Sequence, residues 1–139
     1  MTTIAEVMTK NPETLPTTAT VADAARLMRD KDIGDVIVME NGTVCGIVTD
    51  RDIVIRAVAE NGTSPSEKTL GDICSKDLET LSPDSSVEEA VQTMRNKAVR
   101  RLPVIDGGKA VGIVSIGDLA EERDPKSALA DISAAPANN

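Results

Sequence analysis

The chain is written twice. A shift of 66 positions lays residues 4–53 on residues 70–119 without a gap, and about 15 of the 50 aligned positions are identical. Among them are Glu13-Thr14-Leu15 on Glu79-Thr80-Leu81 and Gly46-Ile47-Val48 on Gly112-Ile113-Val114. Most other pairs keep apolar on apolar, so the fold of one copy must also suit the other. A length of 139 residues allows one sizeable core or two small units that share one. The repeat divides the chain into a first copy over 1–62, a linker over 63–69, a second copy over 70–125 and a tail over 126–139. The linker lies within ENGTSPSEKT, rich in Gly, Ser and Pro, and the end of the tail is expected to be disordered.

Each copy carries the same order of local signals. Thr3 with Glu6, and Thr69 with Asp72, have the spacing of a capping box and open a short helix. An extended piece follows at 13–15 or 79–81, then a proline-containing turn. Thr20 or Ser86 begins a longer helix, with Asp23 or Glu89 three positions on. Its apolar stripe is Val21, Ala24, Ala25 and Met28, or Val87, Ala90, Val91 and Met94. Two short apolar runs then flank Glu40-Asn41-Gly42 or Asp106-Gly107-Gly108, which predicts a hairpin. Pro103 is expected to open its strand, where a missing N–H matters least. A last helix starts at Thr49 or Ser115. The expected fold class is α/β (α+β), with two tandem βαββα units, each preceded by a short helix.

Composition limits the chemistry. With no Phe, Tyr or Trp, the core must be built from Val, Ile, Leu, Met and Ala, and no ring is available to stack on a nucleobase. With no histidine, Cys–His catalysis and every mechanism needing an imidazole base are removed. Cys45 and Cys74 lack CxxC spacing and align with Val111 and Met8, so they read as small buried hydrophobes, not as metal ligands. A net charge of −8 repels nucleic acid and anionic membranes. No apolar run approaches a bilayer span, and MTTIAEVMTK lacks a secretory layout. A cytoplasmic protein with neither nucleic acid nor membrane as partner is expected.

Each last helix opens on Gly-Ile-Val, a hydroxyl residue, two variable positions and Asp, over 46–52 and 112–118. Thr49 and Ser115 stand where a strand becomes a helix, beside helix N–H groups without partners, and such an end attracts phosphate by donors and dipole together. Asp52 and Asp118, three residues on, offer acceptor oxygens suited to a pair of ribose hydroxyls. The same spacing is also a capping box, in which Asp turns back on its own helix. Spacing alone leaves both readings open.

Two copies of about 60 residues, each ending in hairpin, G-h-h-[T/S]-x-x-D and helix, resemble a tandem pair of cystathionine-β-synthase (CBS) domains, the unit called a Bateman module. The residues that carry the resemblance are VRRLPVIDGG, VCGIVTDRD and VGIVSIGD, in register across roughly residues 1–123. The resemblance implies a stand-alone pair with no attached partner domain, two copies packed by a pseudo-twofold axis, and a homodimer. It also implies a non-catalytic regulatory module that requires no cofactor. Such pairs bind an adenosyl compound (AMP, ADP, ATP, S-adenosylmethionine or a dinucleotide) in clefts between the copies, with Asp on the ribose. A separate regulated protein would read the change of shape.

The two clefts are unequal. Arg100 and Arg101 precede the Leu-Pro-Val strand, where family members often place a basic residue that reaches phosphate, and a guanidinium holds phosphate with paired donors. Gly34-Asp35 stands at the matching place, where a phosphate would meet a carboxylate, although Arg51 could compensate. Arg100, Arg101, Ser115 and Asp118 are therefore the expected site for a phosphorylated ligand. Thr49 and Asp52 form a weaker, nucleoside-like or empty site. Thr14 and Thr80 join the candidates because the family's early strand often crosses to the other copy's cleft. Against these readings stand surface ion pairing for the two arginines, and for the whole protein a ligand-free dimer serving as an interaction scaffold.

Overall fold

In chain order the elements are α1 (Ile4–Val7), β1 (Thr9–Lys10), β2 (Thr14–Pro16), α2 (Val21–Lys31), β3 (Asp35–Glu40), β4 (Thr43–Thr49) and α3 (Asp50–Asp52). A π-helical stretch over Ile53–Val58 continues α3, and α4 (Leu70–Ile73), α5 (Val87–Lys97), β5 (Arg101–Asp106), β6 (Lys109–Ser115) and α6 (Ile116–Arg123) follow. The structure, a computed structural model, describes residues 2–60, 64–75 and 78–123. The tail over 126–139 and residue 63 of the linker lie outside these residues.

Local chemistry sets the boundaries. Thr20 Oγ1 accepts the Asp23 N–H at 3.1 Å while the Asp23 carboxylate accepts the Thr20 N–H at 2.9 Å, a complete capping box that starts α2. Ser86 starts α5 more simply, its Oγ accepting the Glu89 N–H at 3.1 Å. Both helices stop on a left-handed residue, Asp32 (φ 56°) and Ala98 (φ 54°), whose N–H returns to the carbonyl of Met28 or Met94. The hairpins turn on Asn41-Gly42 and Gly107-Gly108, all four with positive φ, as a type I′ turn requires.

The chain forms two compact units, which do not coincide with the sequence copies. One is Pro12–Leu78; the other combines Met1–Asn11 with Glu79–Asn139. The first contains the sheet β2-β3-β4, with β2 parallel and β4 antiparallel to β3. Its core gathers Val21, Ala24, Met28, Val36, Val38 and Val48 with Leu70, Ile73 and Cys74 from the start of the second copy. The second contains the sheet β1-β6-β5, and its core gathers Val87, Ala90, Met94, Leu102, Val104 and Val114 with Ile4 from the start of the first copy. The leading helices are thus exchanged. Ile4 N–H donates to the Ser85 carbonyl (2.8 Å), and Leu70 N–H donates to the Ala19 carbonyl (2.9 Å), at matching places in the two units. Pattern reading makes each leading helix the start of its own copy in sequence and anticipates neither the exchange nor β1.

Pro103 needs a correction. It is the third residue of β5, not the first. Its counterpart Ile37 donates its N–H to the Glu13 carbonyl at 3.0 Å, which helps hold β2 in a three-residue parallel ladder. Proline has no such donor, and in the second copy that ladder shrinks to a single bridge, Leu81 to Val104. The proline is tolerated because the donor it lacks faces a short edge segment and not the β6 ladder.

Candidate functional site

The second-copy candidates converge because of strand register. Arg101 pairs with Ser115 at the end of the β5–β6 ladder, and the Ile116 N–H donates to the Arg100 carbonyl at 2.9 Å, which ties the arginine doublet to the first turn of α6. Arg100, Arg101, Ser115 and Asp118 therefore share one end of one sheet. The Arg100 side chain is exposed and its guanidinium has no hydrogen bond or ion pair to a described residue, whereas Arg101 is half-buried and engaged. The first copy has the same backbone, with Asp35 paired to Thr49 and the Asp50 N–H donating to the Gly34 carbonyl at 3.0 Å. Here the equivalent of the arginine doublet is Gly34 and a carboxylate.

Both motifs form capping boxes. Asp118 Oδ2 accepts the Ser115 N–H at 2.9 Å and Ser115 Oγ accepts the Asp118 N–H at 3.2 Å. Asp52 Oδ2 and Thr49 Oγ1 do the same at 2.9 and 3.1 Å. Each Asp spends one oxygen on its cap. The second oxygen distinguishes them. Asp52 Oδ1 lies 3.9 Å from Arg56 Nε, and Arg56 is itself held by the Ile73 carbonyl (2.9 Å) and Ser75 Oγ (3.3 Å). The residue matching Arg56 is Glu122, which instead accepts a hydrogen bond from Thr2 Oγ1 at 3.0 Å. Asp118 Oδ1 is thereby left without a described partner. The helices differ as well: α6 runs eight residues, while α3 gives way to the π-helical stretch after three. A regular helix aligns its dipole and N–H groups over a longer run, so the Ser115 end is the better anion site.

Gly46 and Gly112 have a structural explanation. A Cβ at Gly46 would lie 2.5 Å from the Ser75 carbonyl oxygen and 3.0 Å from Cys74 Sγ, and one at Gly112 would run into the Met8 thioether. Each glycine makes room for the exchanged helix, with Cys74 and Met8 as matching sulfur-bearing residues. Thr14 and Thr80 are both exposed. Thr14 lies on β2, paired with Ile37 of its own copy, and Thr80 adjoins Leu81, bridged to Val104 of its own copy. In each unit the segment taken from the other copy is the leading helix with the residues after it, not the threonine strand. Among the described residues no group of three or more His, Cys, Asp or Glu is placed to hold a metal ion.

A pocket of about 580 Å³ opens between α5 and α6. Arg100 lines it, but Ser115 and Asp118 do not.

The family model described as CBS domain matches residues 4–58 and again 70–124. The chain belongs to the CBS-domain family. The CBS domain-containing protein YhcV of Bacillus subtilis is 35% identical over 139 residues, covering 96% of each chain. A putative signal-transduction protein with CBS domains from Burkholderia ambifaria superposes with a TM-score of 0.81 at 30% identity, covering 91% of this chain and 96% of the other. The CBS domain pair of protein MJ0100, solved in complex with 5′-methylthioadenosine and S-adenosyl-L-methionine, also gives 0.81, at 25% identity over 91% and 99% of the two chains. The fold is that of a tandem CBS pair, a mixed α+β chain with two sheets and helices. No helix among the described residues is long and apolar enough to cross a membrane.

Sequence reasoning reached both motifs and the arginine doublet but missed Arg56. Its signal was present in the repeat, since Arg56 against Glu122 is a charge reversal four residues beyond the motif Asp.

Proposed function

We propose that this CBS pair is a non-catalytic regulatory module that binds an adenosyl compound at Arg100, Arg101, Ser115 and Asp118. The observation that carries the reading is the convergence of the arginine doublet on the Ser115–Asp118 helix start, through the Arg101–Ser115 register and the Ile116-to-Arg100 hydrogen bond. The complex of MJ0100 with 5′-methylthioadenosine and S-adenosyl-L-methionine supports an adenosyl ligand for a pair of this fold. The doublet favours a phosphorylated member of the class, AMP, ADP or ATP, over the sulfonium compound, because guanidinium attracts phosphate and repels a sulfonium cation. Asp118 would take ribose hydroxyls with its unpartnered Oδ1, and the first-copy motif would bind more weakly or stay empty.

The protein acts as a homodimer, and the ligand favours one packing of it that a regulated partner protein recognises. Net charge −8 and the absence of histidine support a role without nucleic acid and without an imidazole-based mechanism.

Isothermal titration with AMP, ATP and S-adenosylmethionine tests the reading. The expected result is tighter binding of the phosphorylated ligands, lost by about tenfold or more in Asp118→Ala and little changed in Asp52→Ala. Equal losses in the two variants would remove the asymmetry. A second reading, a ligand-free interaction scaffold, draws on the fact that both aspartates are already committed to caps. The absence of heat with every ligand would select it.

A further inference from the structure

Four residues past each motif Asp the repeat reverses its charge: Arg56 follows Asp52, and Glu122 follows Asp118. That spacing puts the two side chains one turn apart on the same helix face. In the Pro12–Leu78 unit Arg56 Nε reaches Asp52 Oδ1 at 3.9 Å, and the guanidinium is fastened by the Ile73 carbonyl (2.9 Å) and Ser75 Oγ (3.3 Å). With Oδ2 on the Thr49 N–H, both oxygens of Asp52 are engaged. In the other unit Glu122 cannot act in this way. An ionised carboxylate only accepts, and Glu122 Oε1 already accepts from the Thr2 hydroxyl at 3.0 Å, within the same unit. Asp118 Oδ2 is on the Ser115 N–H, and Oδ1 has no described partner. Helix stability does not account for Glu122. Two carboxylates at i and i+4 repel, whereas an acid followed four residues on by a base attracts, so for α6 alone an arginine would serve better.

We infer that the residue four positions beyond the motif Asp decides which motif accepts a ribose: Glu122 keeps Asp118 Oδ1 open to ribose hydroxyls, and Arg56 closes Asp52 to them. Glu122 is thus a positioning residue that acts through Asp118. This rests on the reading of Arg100, Arg101, Ser115 and Asp118 as an adenosyl site. It adds a selectivity for ribose over deoxyribose and names the side chain that sets it. The two helices make the comparison fair. Arg56 lies in the π-helical stretch after a three-residue α3, whereas α6 is regular across both 118 and 122, so an arginine at 122 has the better approach to its Asp.

Isothermal titration of AMP and 2′-deoxy-AMP into the wild type and Glu122→Arg tests it. The wild type is expected to prefer AMP by about tenfold, the scale of a hydrogen bond to a charged group. In Glu122→Arg that preference should fall about threefold or more, the scale of an exposed ion pair. An added cation attracts the phosphate of both ligands alike, so the ratio of affinities, and not either affinity, carries the result. Asp118→Ala should remove the preference, and adding Glu122→Arg to it should change the ratio no further, because the arginine acts through Asp118. An unchanged ratio in Glu122→Arg, or a second loss on top of Asp118→Ala, overturns the inference. Glu122 is exposed, so the substitution opens no core. Circular dichroism verifies folding, and Glu122→Lys brings the same charge should the arginine variant fail to fold. The absence of heat from the wild type with AMP and with ATP defeats the proposed site, and this inference with it. Equal affinity of the wild type for AMP and 2′-deoxy-AMP leaves the arginine doublet standing but takes the ribose away from Asp118, which overturns the inference alone.

Discussion

A methyl group added at Gly46 would stand 2.5 Å from the Ser75 carbonyl oxygen, a backbone atom that cannot swing aside. At Gly112 the first obstacle is the Met8 thioether, the end of a flexible side chain, with the Thr9 carbonyl oxygen at 3.0 Å. Gly46→Ala should therefore cost about 1–3 kcal/mol and Gly112→Ala less, a ranking that thermal unfolding of the two variants checks. Asp23 gives a pH-dependent case. Its carboxyl is held below the usual carboxylate range, first by the hydrogen bond from the Thr20 backbone, then by the Thr20 side chain and Arg26. A depressed folded-state pKa means stability that is present above the unfolded value, about 3.9, and is lost as pH falls through the folded one. Asp23→Asn should thus lower the melting temperature at pH 7, with the gap to wild type closing below about pH 4. An equal gap at pH 7 and pH 3 would assign the effect to packing instead.

The elements differ in how far a sequence can specify them. Caps at Thr20 and Ser86 and the turns at Asn41-Gly42 and Gly107-Gly108 are interactions within four residues, so the pattern that predicts them contains their whole cause. The exchange of α1 and α4 has no local cause. Ile4 and Leu70 are matching apolar residues after matching caps, and either would suit either core; which sheet each joins is decided by chain path, which periodicity does not encode. The candidate site divides along the same line. Motif spacing and the arginine doublet were legible, and the Asp52–Arg56 pair, four residues apart, was written in the repeat although missed. What no local pattern shows is the hold on Arg56 by the Ile73 carbonyl and Ser75 Oγ, 17 and 19 residues on. Ile4→Ala tests the exchange directly. Ile4 is fully buried in the β1-β6-β5 unit, so the substitution should cost about 2–5 kcal/mol. Hydrogen exchange should show protection falling across β5 and β6 while β3 and β4 keep theirs. Loss in β3 and β4 instead would place α1 with its own copy.

For the molecule as a whole, the exchange means that neither sequence copy is a folding unit. A chain cut to residues 1–62 keeps β2, α2, β3 and β4 but loses Leu70, Ile73 and Cys74, three buried members of the core those elements form. Its α1 is left without the β1-β6-β5 unit to pack on. Residues 12–78 retain all the members of that core with α4 included, in a chain of similar length. Units this small are marginal, because they bury a low fraction of their surface and cannot spare three core side chains worth about 1.5–3 kcal/mol each for the larger ones. The fragment 12–78 is therefore expected to melt cooperatively by circular dichroism and the fragment 1–62 to show no cooperative transition. The opposite result would mean that each copy can recapture its own leading helix. The exchange would then be a property of the full chain alone.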